Sequence, residues 1–349
     1  MKKKRLIRHL ITGITYVRPL LIIRGFCITV CDVFANCDLI YSCFFLIEQI
    51  AVALMYPVVC GFTAYSFAEK SALIPGLLVG ALVYFYDLGY VAAMIGALIC
   101  AGVCIVLKHY FWAANPVAGS CLVFLMPVVA VSLSVIVLCN PHMQNLSIVH
   151  TYMRNTMNSL PLWCMVLLGC LLGAVVAVDM GGAIGKVFLT LLPSILLIMD
   201  VAWLTAAKVA TCMVPSLVVV LGELFKKRKA LDSLDKKQFT STLAMALFQI
   251  SEGALPYAKL SPKSVVPSCM VGSAICGGLI QWWGVTCWIP HGGILLFPFM
   301  NKPVHFVMAI IVGAGFGTVI LLLLTKVFPP LKTDKNTDEL DMQKIKINF

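Results

Sequence analysis

The stretch "SVVPSCMVGSAICGGLIQWWGVTCWIPHGGILLFPFMN", Ser264 to Asn301, contains no Asp, Glu, Lys or Arg. A helix needs about 20 predominantly apolar residues to cross the hydrocarbon core, so this run holds at least one span. His109 to Met153 and Asn155 to Val178 are free of the same four residue types. The 349-residue chain is 61% hydrophobic and 12% charged. That composition excludes a soluble domain and predicts an all-α polytopic membrane protein, because each peptide group in lipid must find its partner internally. Expected spans lie near 12–33, 39–66, 74–86, 89–107, 119–139, 160–178, 189–222, 239–250, 264–285 and 303–327, about ten in all.

Orientation follows from the basic clusters. "MKKKRLIRH" opens the chain, "FKKRKALDSLDKK" (225–237) interrupts it, and Lys332, Lys335, Lys344 and Lys346 lie in the tail. Positive flanks stay on the cytoplasmic side, so a plasma-membrane protein with both termini cytoplasmic and an even number of crossings is expected. The apolar start is expected to remain as the first helix, not as a cleaved leader, because Arg18 and Arg24 break its core and no small-residue cleavage site follows. Both arginines are expected to face a cytoplasmic crevice or lipid headgroups, since long basic side chains snorkel.

Other function classes find little support. The fifteen cysteines include no CxxC pair, and the six histidines form no HxxxH or HExxH. The thiols read as small core or lipid-facing residues, and no metal or other cofactor is expected. The net charge of +11 could point to nucleic acid, but the basic residues sit at the ends of membrane segments and do not interleave with aromatics. No nucleic-acid partner is expected.

Three stretches interrupt the apolar pattern. In "VDMGGAIGK", Val178 to Lys186, Asp179 and Lys186 bracket three glycines directly after an apolar run. In "ISEGALPYAKLSPKSVVPS", Ile250 to Ser268, Glu252 stands between Ser251 and Gly253, and Pro256 and Pro262 follow. Glycine lets the chain turn back, and proline forbids an unbroken helix. Hydrocarbon tolerates broken backbone only where protein or a water-filled cavity satisfies it. Each stretch is therefore expected to be a re-entrant hairpin tip, the arrangement of a carrier for a polar solute. The third stretch, "IPHGGI", Ile289 to Ile294, carries His291, Gly292 and Gly293.

A sugar needs both acceptors and donors, which Asp179, Glu252, Lys186 and His291 supply. Ionisable side chains at membrane depth are costly and are functional candidates by default. The structural alternatives are an interfacial salt bridge between Asp179 and Lys186 and a helix-packing hydrogen bond for His291. Trp282, Trp283 and Trp288 are expected to form an interfacial belt in preference to stacking on a sugar ring.

These residues carry a family resemblance. Asp179, Met180, Gly181 and Gly182 followed by Lys186 resemble the DMGGPxNK motif of the membrane subunit, enzyme IIC, of fructose-type phosphoenolpyruvate-dependent sugar phosphotransferase systems. Ser251 to Tyr257 resembles that family's TEGAIPF, "VVPSCMVGSA" its IPSxxxGSA, and Pro290 to Gly293 its PHGG. Tyr56 to Leu82 is similar to PxxAGYIAYSIADRPGLAPGxxGG, and "TGITYVRPLLIIRG" to SGVSYMLPFVVAGG. The matches fall in one order from Thr12 to Gly293.

The resemblance implies a single enzyme IIC membrane domain over 1–349, with scaffold helices over 1–158, a hairpin-bearing transport region over 159–328 and a cytoplasmic tail over 329–349. It further implies a homodimer, a fructose or related hexose substrate, and a phosphorylated enzyme IIB partner fed by enzyme IIA and the general phosphotransferase proteins. Asp179, Gly181, Gly182 and Lys186 would line the first hairpin, and Ser251, Glu252, Gly253 and Pro256 the second. His291 and Gly292 would form a third wall, and Glu252 is the candidate general base. The family's Pro and Asn in the first hairpin are replaced by Ala183 and Gly185, which removes a proline constraint and an amide. The tail after Phe328 is too short to fold alone, so the phosphoryl-carrying residues are expected on separate chains. A rival reading is an ion-coupled secondary transporter using Asp179 and Glu252 as ion sites, and another is a non-transporting scaffold.

Overall fold

The computed structural model describes residues 2–112, 116–138, 140–180, 195–198, 201–225 and 236–329. The fold is helical: α1 (Lys2–Val33), α2 (Asp38–Ala68), α3 (Lys70–Phe85), α4 (Gly89–Trp112), α5 (Pro116–Leu138), α6 (Pro141–Asn158), α7 (Leu162–Val178), α8 (Trp203–Phe225), α9 (Lys236–Leu247), α10 (Leu255–Leu260), α11 (Pro262–Trp282) and α12 (Pro303–Val327). Short 3-10 turns occupy Ser251–Ala254 and Gly293–Phe299. No strand occurs among the described residues, where one isolated bridge joins Cys287 to Met300.

Six described helices are long and apolar enough to cross a membrane: Thr12–Val33, Asp38–Ala68, Gly89–His109, Trp203–Phe225, Pro262–Trp282 and Pro303–Val327. The pair Asn145–Asn158 and Leu162–Val178 meets at a 94° bend and adds a seventh if counted as one span. The chain is thus an all-α polytopic membrane protein. Several expected spans differ in their bounds from the sequence pattern. The run read over 239–250 is a helix of the same 12 residues' length, shifted to end at Leu247, and the run over 74–86 becomes the longer, 16-residue α3. Among the described residues of the long run over 189–222, 195–198 are helical and 203–222 belong to α8.

Packing divides the core. Residues of α7, α8, α11 and α12 build one cluster, from Leu172 to Leu321, around a nearly enclosed α8. A second cluster draws on α1 to α5 together with Leu197, Ile198 and Ala202, and a third joins α2, α3, α4 and α5 around Cys100 and Cys104. The approach of α7 to α11 is close because glycines face each other. A Cβ on Gly277 would run into the backbone of Gly169, and one on Gly173 into that of Ser273. Small residues of this kind let membrane helices pack backbone to backbone.

Arg24 ties α1 to α2 and to the second cluster's Leu197, and overturns its expected exposure. It is 8% exposed. Its Nε donates to Glu48 Oε1 on α2 at 3.0 Å and its Nη1 donates to the Leu197 carbonyl at 3.0 Å. Its guanidinium also lies 5.3 Å from the Trp288 ring centre. Burial against a carboxylate, a carbonyl and an aromatic face satisfies more of the fork than snorkelling would. Trp288 is thereby half-buried beside α1, whereas Trp282 is exposed. Arg24→Met leaves Glu48 buried without its cation and is expected to cost about 3–5 kcal/mol. Arg24→Met combined with Glu48→Leu is expected to recover most of that loss. Thermal unfolding in detergent measures both, and equal losses in the single and double variants would contradict the pairing.

Candidate functional site

The site is built where helices break. After α9 the chain turns through Gln249, whose φ of 64° is a conformation that L side chains seldom adopt. It then enters the 3-10 turn Ser251–Ala254 and the short helix α10. Pro256 occupies the first turn of α10 and Pro262 the first turn of α11, where a missing N–H costs no helical bond. The prolines therefore start helices here and set the break between them.

Two helices hold this turn from its sides. Ser216 on α8 donates through Oγ to the Ile250 carbonyl at 2.9 Å, and Thr242 on α9 donates through Oγ1 to the Gly253 carbonyl at 3.3 Å. Gly253 is wedged between them: a Cβ there would lie 2.9 Å from Ser216 Oγ and 3.2 Å from Met245 Cβ. Tyr257, fully buried, donates through its hydroxyl to Glu223 Oε2 at 2.8 Å. Ser251 and Gly253 are buried, while Glu252 between them is exposed and carries an interaction of its own.

The Pro-His-Gly-Gly stretch lies against the same turn. Gly292 N donates to Gln249 Oε1 at 3.1 Å. Gly293, at φ +60°, approaches so closely that a Cβ would collide with the Leu247 carbonyl and crowd Gln249 N. Lys208 on α8 closes the arrangement, donating through Nζ to the Pro290 carbonyl at 2.6 Å. Ser251, Glu252, Gly253 and Pro256 thus share one locality with His291 and Gly292. His291 is exposed and lies outside the six spans. Partial desolvation, then the Lys208 and Arg18 charges, hold its imidazole below the ordinary histidine value, so it is neutral at physiological pH, with one donor and one acceptor. Arg18, half-buried and engaged, therefore lies within electrostatic reach of this locality instead of among headgroups.

Asp179 ends α7 half-buried, and Met180 beside it turns at φ 47° into the core with Leu196 and Trp203. Gly181, Gly182, Ala183, Gly185 and Lys186 lie outside the described residues, and no described hydrogen bond links Asp179 to Glu252 or His291. The sequence reading missed Lys208, Ser216, Thr242 and Gln249. A usable signal existed for Lys208 alone, an ionisable residue inside an apolar helix.

Gln249 is 6% exposed and its amide carries the join between the two stretches. Gln249→Met removes the acceptor of the Gly292 N–H, and a lost bond of this kind costs about 1–1.5 kcal/mol. Amide hydrogen exchange over 288–293 is therefore expected to quicken about tenfold while exchange in α12 is unchanged. An unaltered rate over 288–293 would show that Gln249 does not hold the stretch.

No family model matches the chain, and no solved structure does. Curated relatives do. The chain is 28% identical over 277 residues to the fructose permease IIC component of Bacillus amyloliquefaciens, covering 79% of this chain and 90% of that one. It is 27% identical over 367 residues to the fructose-specific EIIC component of the phosphotransferase system of Haloferax volcanii, covering 95% of each. It is also 27% identical over 277 residues to the fructose-specific EIIABC component of Bacillus subtilis, covering 79% of this chain and 43% of that longer protein. Along most of its length, then, this chain is similar to proteins named as fructose permease IIC and fructose-specific EIIC components of the phosphotransferase system.

Proposed function

We propose that the chain is the sugar-translocating permease subunit of a fructose-like phosphotransferase system, binding the sugar and presenting it to phosphorylated enzyme IIB. The observation that carries this reading is the seating of Gly292 on the Gln249 side chain and of Gly293 on the 247–249 backbone, in the turn that leads to Glu252. The two stretches that resemble the family's most specific motifs meet there, held by α8. An exposed carboxylate, a neutral imidazole and broken-helix backbone offer both the donors and the acceptors that sugar hydroxyls require.

In this reading Glu252 accepts from the sugar hydroxyl that is to be phosphorylated. As the phosphoryl group leaves enzyme IIB and bonds to that oxygen, the hydroxyl proton passes to the carboxylate. Asp179, Gly181, Gly182 and Lys186 line the opposing first hairpin. The finer architecture is proposed on the same basis: about ten crossings with two re-entrant hairpins, both termini cytoplasmic, and a homodimer. The separation of a core cluster drawn chiefly from α1–α5 from one drawn from α7, α8, α11 and α12 supports a scaffold over 1–158 and a transport region over 159–328, although Leu197, Ile198 and Ala202 pack with the first. Relatives whose names join IIA, IIB and IIC letters in one component support enzyme IIB as the direct partner and enzyme IIA as its feeder.

The test is uptake of radiolabelled fructose by cells lacking their own carriers but supplied with the cognate soluble components. Wild type is expected to accumulate phosphosugar, and Glu252→Gln to lower its formation by about 100-fold or more, the usual scale for a lost general base. Free sugar accumulating along an ion gradient would replace this reading with the ion-coupled transporter.

A further inference from the structure

Lys208 is a buried ammonium whose role neither the motifs nor the relatives assign. It is 8% exposed, on the most enclosed helix of the fold. Among the described residues it has one hydrogen-bond acceptor, the Pro290 carbonyl, and no carboxylate partner. An ammonium has three donors, so two remain for other acceptors. One turn earlier on the same helix face, the Thr205 hydroxyl is fully buried and has no hydrogen-bond partner among the described residues. The Arg18 charge reaches both Lys208 and His291, and adds to the positive potential.

The turn that carries Glu252 is held by Ser216, eight residues along α8 from Lys208, about 12 Å at the helical rise of 1.5 Å per residue. With the basic 225–237 loop cytoplasmic, Ser216 and Glu252 lie nearer the cytoplasmic face and Lys208 lies deeper. The ammonium therefore meets the end of the solute remote from the hydroxyl that accepts the phosphoryl group, and not the phosphoryl group itself.

Resting on the proposed carrier function, we propose that Lys208 is a specificity-determining residue. With Thr205, it makes the deep end of the sugar site select a solute bearing a carboxylate there, a hexonate or hexuronate in preference to a neutral hexose. A carboxylate supplies the counter-charge and the acceptor lone pairs that this buried pair lacks, and charge-assisted bonds are the stronger kind.

The measurement is ligand binding to the purified full-length protein in detergent, by calorimetry, with D-fructose, D-gluconate, D-glucuronate and D-fructuronate as probes. Wild type is expected to bind at least one of the acids at least about tenfold more tightly than fructose, the scale of one hydrogen bond to a charged group. In Lys208→Gln that ratio is expected to fall to about one, and in Lys208→Arg to remain above it. The wild-type comparison decides even if the Gln variant fails to fold. Fructose bound as tightly as every acid, or an unchanged ratio in a folded Lys208→Gln, would overturn the assignment. If wild type also phosphorylates fructose with enzyme IIB, only the specificity role fails. If it neither binds nor phosphorylates any of these sugars, the carrier function fails and the specificity role with it.

Discussion

A broken helix leaves carbonyls without their helical donors, and the Ser216 hydroxyl that meets the Ile250 carbonyl at 2.9 Å answers that need where it matters most. A buried polar group left without a partner costs about 1–3 kcal/mol, so the turn carrying Glu252 depends on the partners that neighbouring helices supply. Thr242 does so for Gly253, Gln249 accepts from Gly292, and Lys208 takes the Pro290 carbonyl. The polar residues of α8 at 208 and 216 stand two helical turns apart on one face. Each serves a different broken segment. One regular helix therefore sets the separation of two irregular ones, and the functional stretches inherit their geometry from it.

The same accounting explains Arg24. A guanidinium inside the fold is tolerable because Glu48, the Leu197 carbonyl and the Trp288 face share its donors and charge. The contact also ties α1 and α2 to the two segments that flank the site. Arg18 sits on the same helix, six residues earlier, and contributes field to the site. The first helix thus has a positional role for the site as well as a spanning one.

Much of this was legible in the sequence. Charge-free runs fixed a polytopic helical class, and Pro256 and Pro262 marked the break that separates α10 from α11. The Ser251–Tyr257 and Pro290–Gly293 motifs marked the surfaces that meet. The ends of α3 and α9 were not legible, because apolar composition does not reveal where a turn such as that at Gln249 ends a helix. The partners of Arg24 and Lys208 were equally hidden: Leu197 and Pro290 act through carbonyls, which every residue carries, so no side-chain pattern announces them. Nor did the sequence announce that the Trp288 ring faces Arg24, because amphipathic rings serve an interface and a buried cation equally well.

The most direct test of the joined site is a sugar-bound structure of the full-length protein in lipid nanodiscs, determined by electron cryomicroscopy with fructose or the tightest-binding sugar acid. We expect density for the sugar within hydrogen-bonding distance of the Glu252 carboxylate and of the His291–Gly292 segment at once, with Gln249 still bridging to Gly292. A sugar bound away from both stretches, or the two stretches separated with no ligand between them, would contradict the joining of these motifs into one site.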